Sequence, residues 1–349
     1  MEKNFCMKAA VLYGPEDVRL EDIPVPEIND DEVLLNIKAG LTCGTDRKVY
    51  LRGGHPTMIK PPATFGHEFS GIISKVGKNV KKFKEGMGVV AANSAPCGEC
   101  FWCKLGKFSS CEDILYINGA YAEYIKIPER IVKMNLLEIP EGVSFKEAAL
   151  AEPLACVVHG VDESYIKLGD TVVINGAGPI GLMFIRLAKL RGARVIATDI
   201  KDERLISAKK MGADELINAV KVSDVVDAVR EKTKYKRGVD VSVEAAGVPE
   251  LWEKTIAMAR KAGLVNLFGG CAPGTKITID TKMFHYQELT IKGVYHHTPY
   301  YFEKALDLIT QKVVGADILI SDEYPLSKIN EVLKKLVNNE GIKIAVTVS

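Results

Sequence analysis

The sequence predicts an α/β protein in two parts, a doubly wound parallel sheet joined to a smaller antiparallel β domain. Three observations lead there. Up to about Glu152 the chain reads as short strands broken by Gly, Pro and Asp. From Thr171 to Gly293 apolar strands alternate with helical stretches, the rhythm of a parallel sheet. At 349 residues the chain also exceeds what one hydrophobic core usually serves. Apolar residues make up 47%, ample for packed interiors. Forty-six Lys and Arg against 45 Asp and Glu leave a net charge of +1, which argues against a nucleic-acid or membrane-surface partner.

The first part takes its antiparallel, barrel-like character from strand patterns at Lys8–Tyr13, Val33–Ala39 and Gly71–Val76. Met1–Lys8 carries an acid and no apolar run, so no secretory leader is expected, and the chain reads as cytoplasmic. The texture changes near Pro153. Thr171–Asn175 is a short buried strand, Pro179–Leu190 a helix, Arg194–Asp199 a second strand and Asp202–Met211 a second helix. Beyond Val294, helices over Pro299–Gln311 and Leu326–Asn338 lead to a closing strand, Lys343–Val348. The predicted domains are 1–153 with 296–349, and 154–295 between them.

Between the first strand and helix of the second part lies Gly176-Ala-Gly178-Pro179-Ile180-Gly181. A glycine triplet is weak evidence alone, but here it follows a strand and opens a helix, the context that a dinucleotide-binding Rossmann turn requires. Gly176 permits the tight turn, Gly178 lets a pyrophosphate approach the backbone, and Gly181 allows close helix–strand packing. The anion rests on the helix N-terminus. Asp199, ending the second strand, can accept from both ribose hydroxyls and favours NAD over NADP, with Lys201 and Arg204 close enough to soften that preference. A turn or helix-capping role is the alternative for Asp199.

Cys97, Cys100, Cys103 and Cys111 are spaced to surround one tetrahedral ion. Four thiolates suit zinc and leave no open position, so this is a structural site. Two disulfides are the alternative, and they belong to oxidising compartments.

Further residues gain meaning through a resemblance. Gly66-His67-Glu68-Phe-Ser-Gly71 through Gly77 and Val80 is similar, at every defined position, to the signature of zinc-containing medium-chain alcohol dehydrogenases. The similarity continues through the cysteine tetrad, Gly119–Tyr124, Glu152-Pro-Leu154, the Gly176 turn, Glu244-Ala-Ala-Gly247 and Leu267–Gly270. Glu152–Cys156 together with Cys43-Gly-Thr-Asp46 looks closest to the polyol (sorbitol-like) and threonine dehydrogenases.

The resemblance implies a GroES-like barrel beside the Rossmann domain. It also implies two zinc ions per chain, NAD, an alcohol substrate (a polyol or sugar alcohol) and a homo-oligomer, tetramer or dimer. Cys43 and His67 would hold a catalytic zinc with a carboxylate, Glu68 or Glu152, and both remain open. Asp46 would orient His67. Thr45 would accept the hydroxyl proton. Many relatives carry histidine three positions after Thr45, where this chain has Lys48, so the outer proton route differs. Cofactor contacts are implied at Gly176, Gly178, Pro179, Ile180, Gly181, Asp199, Arg204, Phe268 and Val294. Asn93 and His296 are candidate substrate residues, Cys156 reads as packing, and Cys6 and Cys271 read as structural. Threonine or another amino-alcohol or sugar-phosphate dehydrogenase is the runner-up, followed by a zinc-free quinone reductase and a non-enzymatic nucleotide-binding protein.

Overall fold

In a computed structural model the fold is described for residues 5–348, so the reading of the leading Met1–Asn4 lies outside the described residues. The chain divides into two compact units. One runs from the N-terminus to Ala155 and resumes at His297, and the other is Cys156–His296.

The first unit is built mainly on antiparallel pairing. Cys6–Gly14 lies between Asp17–Pro24 and Ala63–Thr64. A larger sheet has the order Leu136–Glu138, Gly88–Ala91, Glu68–Val76, Val33–Leu41, Lys343–Thr347, Ile320–Pro325, and Tyr124–Ile127 also pairs with Val33–Leu41. The closing strand is therefore an interior one, with Val346 opposite Gly40 on one side and Tyr324 on the other. Leu12, Leu35, Ile37, Phe65, Phe69 and Ile344 lead the core these strands enclose.

The second unit is a six-stranded parallel sheet in the spatial order Glu215–Asn218, Arg194–Asp199, Thr171–Asn175, Val239–Glu244, Ala259–Leu267, Thr290–Gly293. Numbered within the unit, that order is 3-2-1-4-5-6, so the strand order reverses beside Thr171–Asn175, where α/β sheets of this type bind ligands. Val172, Val173 and Ile174 are fully buried, as a strand covered on both faces requires.

The observed elements depart from the sequence reading in several places, and helices Gly44–Arg52, Glu129–Met134 and Phe145–Ala149 interrupt the part read as strands. A 13-residue helix, Ala151–Glu163, stands where Pro153 suggested only a change of texture. Pro153 occupies its first turn, where a missing N–H costs nothing. The predicted Leu326–Asn338 helix is a 3₁₀ turn, Leu326–Lys328, followed by an α-helix, Ile329–Val337. Among the described residues no helix is long and apolar enough to cross a membrane.

Candidate active site

Cys43 caps the helix Gly44–Arg52. Its Sγ accepts the Thr45 N–H at 3.4 Å, and its own N–H donates to Asp46 Oδ2 at 2.9 Å. This capping box fixes the thiol at the head of the helix. The other oxygen of Asp46 lies 2.9 Å from His67 Nδ1, and the Tyr121 hydroxyl donates to Asp46 Oδ2 at 2.7 Å. Asp46, His67 and Tyr121 are all buried. Gly66, just before the histidine, has φ +86°, and a Cβ there would stand 2.7 Å from the Tyr121 ring. Glycine is what lets the chain pass the aromatic that holds Asp46.

Glu68 opens the strand Glu68–Val76, and its carboxylate joins Cys43 Sγ and a His67 ring nitrogen in a group whose ligand atoms all lie within 4.8 Å of one another. Both of its oxygens also accept from Lys343 Nζ, at 2.7 and 2.5 Å, and the same ammonium donates to the Thr42 carbonyl at 2.9 Å. Both residues are sealed from solvent. Burial pushes the Glu68 carboxyl up to about 7, against the pull of Lys343. Burial works to lower Lys343, but the Glu68 charge outweighs it and holds the ammonium above its usual value.

Glu152 sits in the first turn of Ala151–Glu163 and is also buried. Its Oε1 lies 3.8 Å from His297 Nε2, which in turn meets Ser94 Oγ at 3.3 Å. Burial raises its carboxyl, offset by the charges of His67 and Lys343, so it shares their electrostatic neighbourhood. Thr45 is half-buried, Lys48 is exposed, and Arg47 is tied to the Val337 carbonyl at 3.2 Å. Asn93 is buried, and its Oδ1 has no hydrogen-bond partner.

The tetrad comes together as its spacing predicts. Sulfur separations are 3.5 Å for Cys97–Cys111 and 3.9 Å for both Cys97–Cys103 and Cys100–Cys111. Tetrahedral ligands at a Zn–S distance of about 2.3 Å stand about 3.8 Å apart, whereas a disulfide needs about 2.05 Å. The four thiols fit a zinc ion, not two bridges. Backbone N–H groups of Cys97, Cys100 and Asp113 point at the sulfurs at 3.2–3.3 Å, favouring thiolates.

In the second unit Gly176 adopts φ +96°, and a Cβ on Gly181 would fall 1.7 Å from the Gly176 carbonyl oxygen, so no other residue fits at 181. Gly178 precedes the helix Pro179–Leu190 and faces open space. Asp199 uses one lone pair on each oxygen to hold the turn, accepting from Ala177 N–H (2.8 Å) and Lys201 N–H (2.9 Å). Arg204 Nη1 lies 3.9 Å from Asp199 Oδ2. A cleft of about 450 Å³ is lined here by Gly176, Asp199 and Arg204, together with Ala246 of the Glu244–Gly247 motif and with Val248 and Leu251, which no sequence motif marks. Phe268 packs edge-on against Phe184 with ring centroids 4.9 Å apart, and Val294 is buried. His296 has φ +61°, stacks on Tyr295, and its carbonyl accepts from His159 Nδ1 at 2.8 Å.

A half-buried thiol beside a buried imidazole and carboxylate, a separate site of four cysteines and a dinucleotide turn define a metal-dependent oxidoreductase class. Known proteins agree. The family described as "Alcohol dehydrogenase GroES-like domain" matches residues 29–141, and "Zinc-binding dehydrogenase" matches 179–311. The chain is 33% identical to the sorbitol dehydrogenase of Bacillus subtilis (strain 168) over 349 residues, covering 97% of both proteins. It is also 33% identical over 344 residues to the D-arabitol-phosphate dehydrogenase of Enterococcus avium, covering 95% of this chain and 94% of that one. Among solved structures, a zinc-binding dehydrogenase of Sinorhizobium meliloti 1021 bound to NADP superposes with a TM-score of 0.90 at 31% identity, over 98% of this chain and 99% of that one. The chain belongs to the zinc-containing alcohol dehydrogenase family.

Proposed function

We propose that this enzyme transfers hydride between the secondary hydroxyl of a polyol or sugar alcohol and NAD. The observation that carries the reading is the convergence of Cys43 and His67, with Asp46 fixed behind the histidine and two buried carboxylates, Glu68 and Glu152, in the same electrostatic neighbourhood. Thiolate, imidazole and carboxylate are the donor set of an open zinc site. Bound there, zinc supplies Lewis-acid polarisation of a hydroxyl, and NAD supplies the hydride acceptor.

The chain's own residues do the rest. Donation from His67 Nδ1 to Asp46 leaves Nε2 as the ligating nitrogen. Glu68 already has both oxygens committed to a buried ammonium, whereas Glu152 has no such cation bonded to it, so Glu152 is the better third ligand. Thr45, beside the capping thiol, takes the hydroxyl proton, and Lys48 or water carries it outward. Asp199 presents its remaining lone pairs to the ribose and repels a 2′-phosphate, which favours NAD. Reduced thiols support a cytoplasmic setting, and the protein is read as a homo-oligomer, checked by light scattering.

Activity with NAD and NADP against sorbitol, xylitol, arabitol phosphate, threonine and simple alcohols, paired with zinc content, tests this reading. Cys43→Ser and Glu152→Gln are expected to fall from two zinc ions per chain to one and to lose turnover, while Glu68→Gln keeps two. Full zinc and full activity in Cys43→Ser would sink the assignment.

A further inference from the structure

Glu244 ends the Val239–Glu244 strand and is wholly buried, yet it holds no substrate, metal or cofactor in the reading above. Its Oε1 accepts from the N–H groups of Ala246 (2.9 Å) and Gly247 (2.8 Å). Its Oε2 accepts from Gly247 N–H (3.1 Å) and the indole N–H of Trp252 (3.1 Å). The same indole N–H reaches the Gly269 carbonyl at 3.0 Å, while the Glu244 carbonyl accepts from Phe268 and Gly269 N–H at 3.1 and 3.0 Å. Two loops that follow adjacent strands are thus gathered around one residue.

The loops meet at a distance only glycine allows. A Cβ on Gly269 would stand 2.3 Å from Gly247 N and 2.4 Å from Glu244 Oε2, and one on Gly247 (φ +75°) would stand 2.6 Å from the Gly270 carbonyl oxygen. The first loop continues into the cleft, where Ala246 and Val248 form wall beside Gly176. The Ala246 methyl lies 3.1 Å from where a Cβ on Gly176 would be, so any shift of this loop moves the surface next to the pyrophosphate turn.

A neutral side chain cannot make this arrangement. Every side-chain hydrogen bond is accepted, on both oxygens, from N–H donors, and an amide would turn one acceptor into a donor facing a donor. Burying a carboxyl is costly, and the donors offset that cost only while both loops stay in place.

We infer that Glu244 is a positioning residue for the dinucleotide, holding the Ala246–Val248 wall against the glycine turn through its paired hydrogen bonds and Trp252. This rests on the reading that the cleft takes NAD.

NADH binding followed by fluorescence, with KM for NAD, KM for the alcohol and kcat, tests it in the intact enzyme. Glu244→Gln is expected to raise the NADH Kd and the KM for NAD about tenfold, with kcat at saturating NAD and the KM for the alcohol within about twofold of wild type. Trp252→Phe, which removes one donor and leaves the carboxylate, is expected to raise KM for NAD about threefold and carries the test should Glu244→Gln not fold. Unchanged NAD affinity in a folded variant overturns the inference, as does a loss confined to kcat or to the alcohol. Failure of the wild-type enzyme to bind NADH would instead overturn the function proposed above.

Discussion

Lys343 places an ammonium in an interior where it bonds to Glu68 and the Thr42 carbonyl. Replacing one partner of such a pair leaves an uncompensated buried charge, a loss of about 3–5 kcal/mol. Lys343→Met is expected to lower stability by about 3 kcal/mol in urea unfolding, with part recovered in the Glu68→Gln/Lys343→Met double variant. No local signal in the sequence points to this contact, because the partners are 275 residues apart. A lysine heading an otherwise apolar strand, Lys343-Ile-Ala-Val, is the one clue, and it reads more naturally as a strand end at the surface. Tyr121 was visible only as part of a motif, with nothing to say that its hydroxyl supports Asp46. His67 and Cys43 were legible through resemblance, and the tetrad through spacing alone, since four close cysteines restrict geometry far more than a single histidine can.

At the scale of elements, the glycine turn is the most sharply determined feature. Gly181→Ala must push its methyl into the Gly176 carbonyl. Loss of NADH binding by more than about tenfold and a stability loss of about 2 kcal/mol are expected, checked by titration and thermal unfolding. The neighbouring helix–strand connection carries a pH signature. Asp214 is partly buried, which would raise its pKa, but Lys189 and the Val195 N–H outweigh this and hold it below the usual carboxylate value. Its stabilisation is therefore complete above about pH 4 and is lost as pH falls through the lower folded-state value. Asp214→Asn should cost no more than about 1 kcal/mol at pH 7, since the pair is partly exposed and screened, and progressively less on acidification below about pH 4. The first two strands of this unit were readable because Thr171–Asn175 and Arg194–Asp199 are buried apolar runs bounded by turn residues, whereas Glu215–Asn218 and Thr290–Gly293 are short and partly exposed. The helix at Ala151–Glu163 was not, because proline in a first turn and proline at a boundary look alike in one dimension.

Over the whole molecule the two proposed metal sites are expected to divide stability from chemistry. Cys97→Ser is expected to lose one zinc and lower the melting temperature by several degrees, whereas Cys43→Ser abolishes turnover with a smaller thermal effect. Zinc analysis beside calorimetry distinguishes them.

The closing strand has a consequence for how the protein is made. The Cys156–His296 unit is continuous, so every residue it needs has been synthesised before His297–Ser349 follows. The enclosing unit cannot complete its sheet, nor pair Glu68 with its cation, until Lys343–Thr347 leaves the ribosome. A chain ending before that strand can thus own both glycine turn and cysteine tetrad and still lack the partner of Val33–Leu41 and the cation beside Glu68. That strand is the keystone of the first unit, laid after everything it joins.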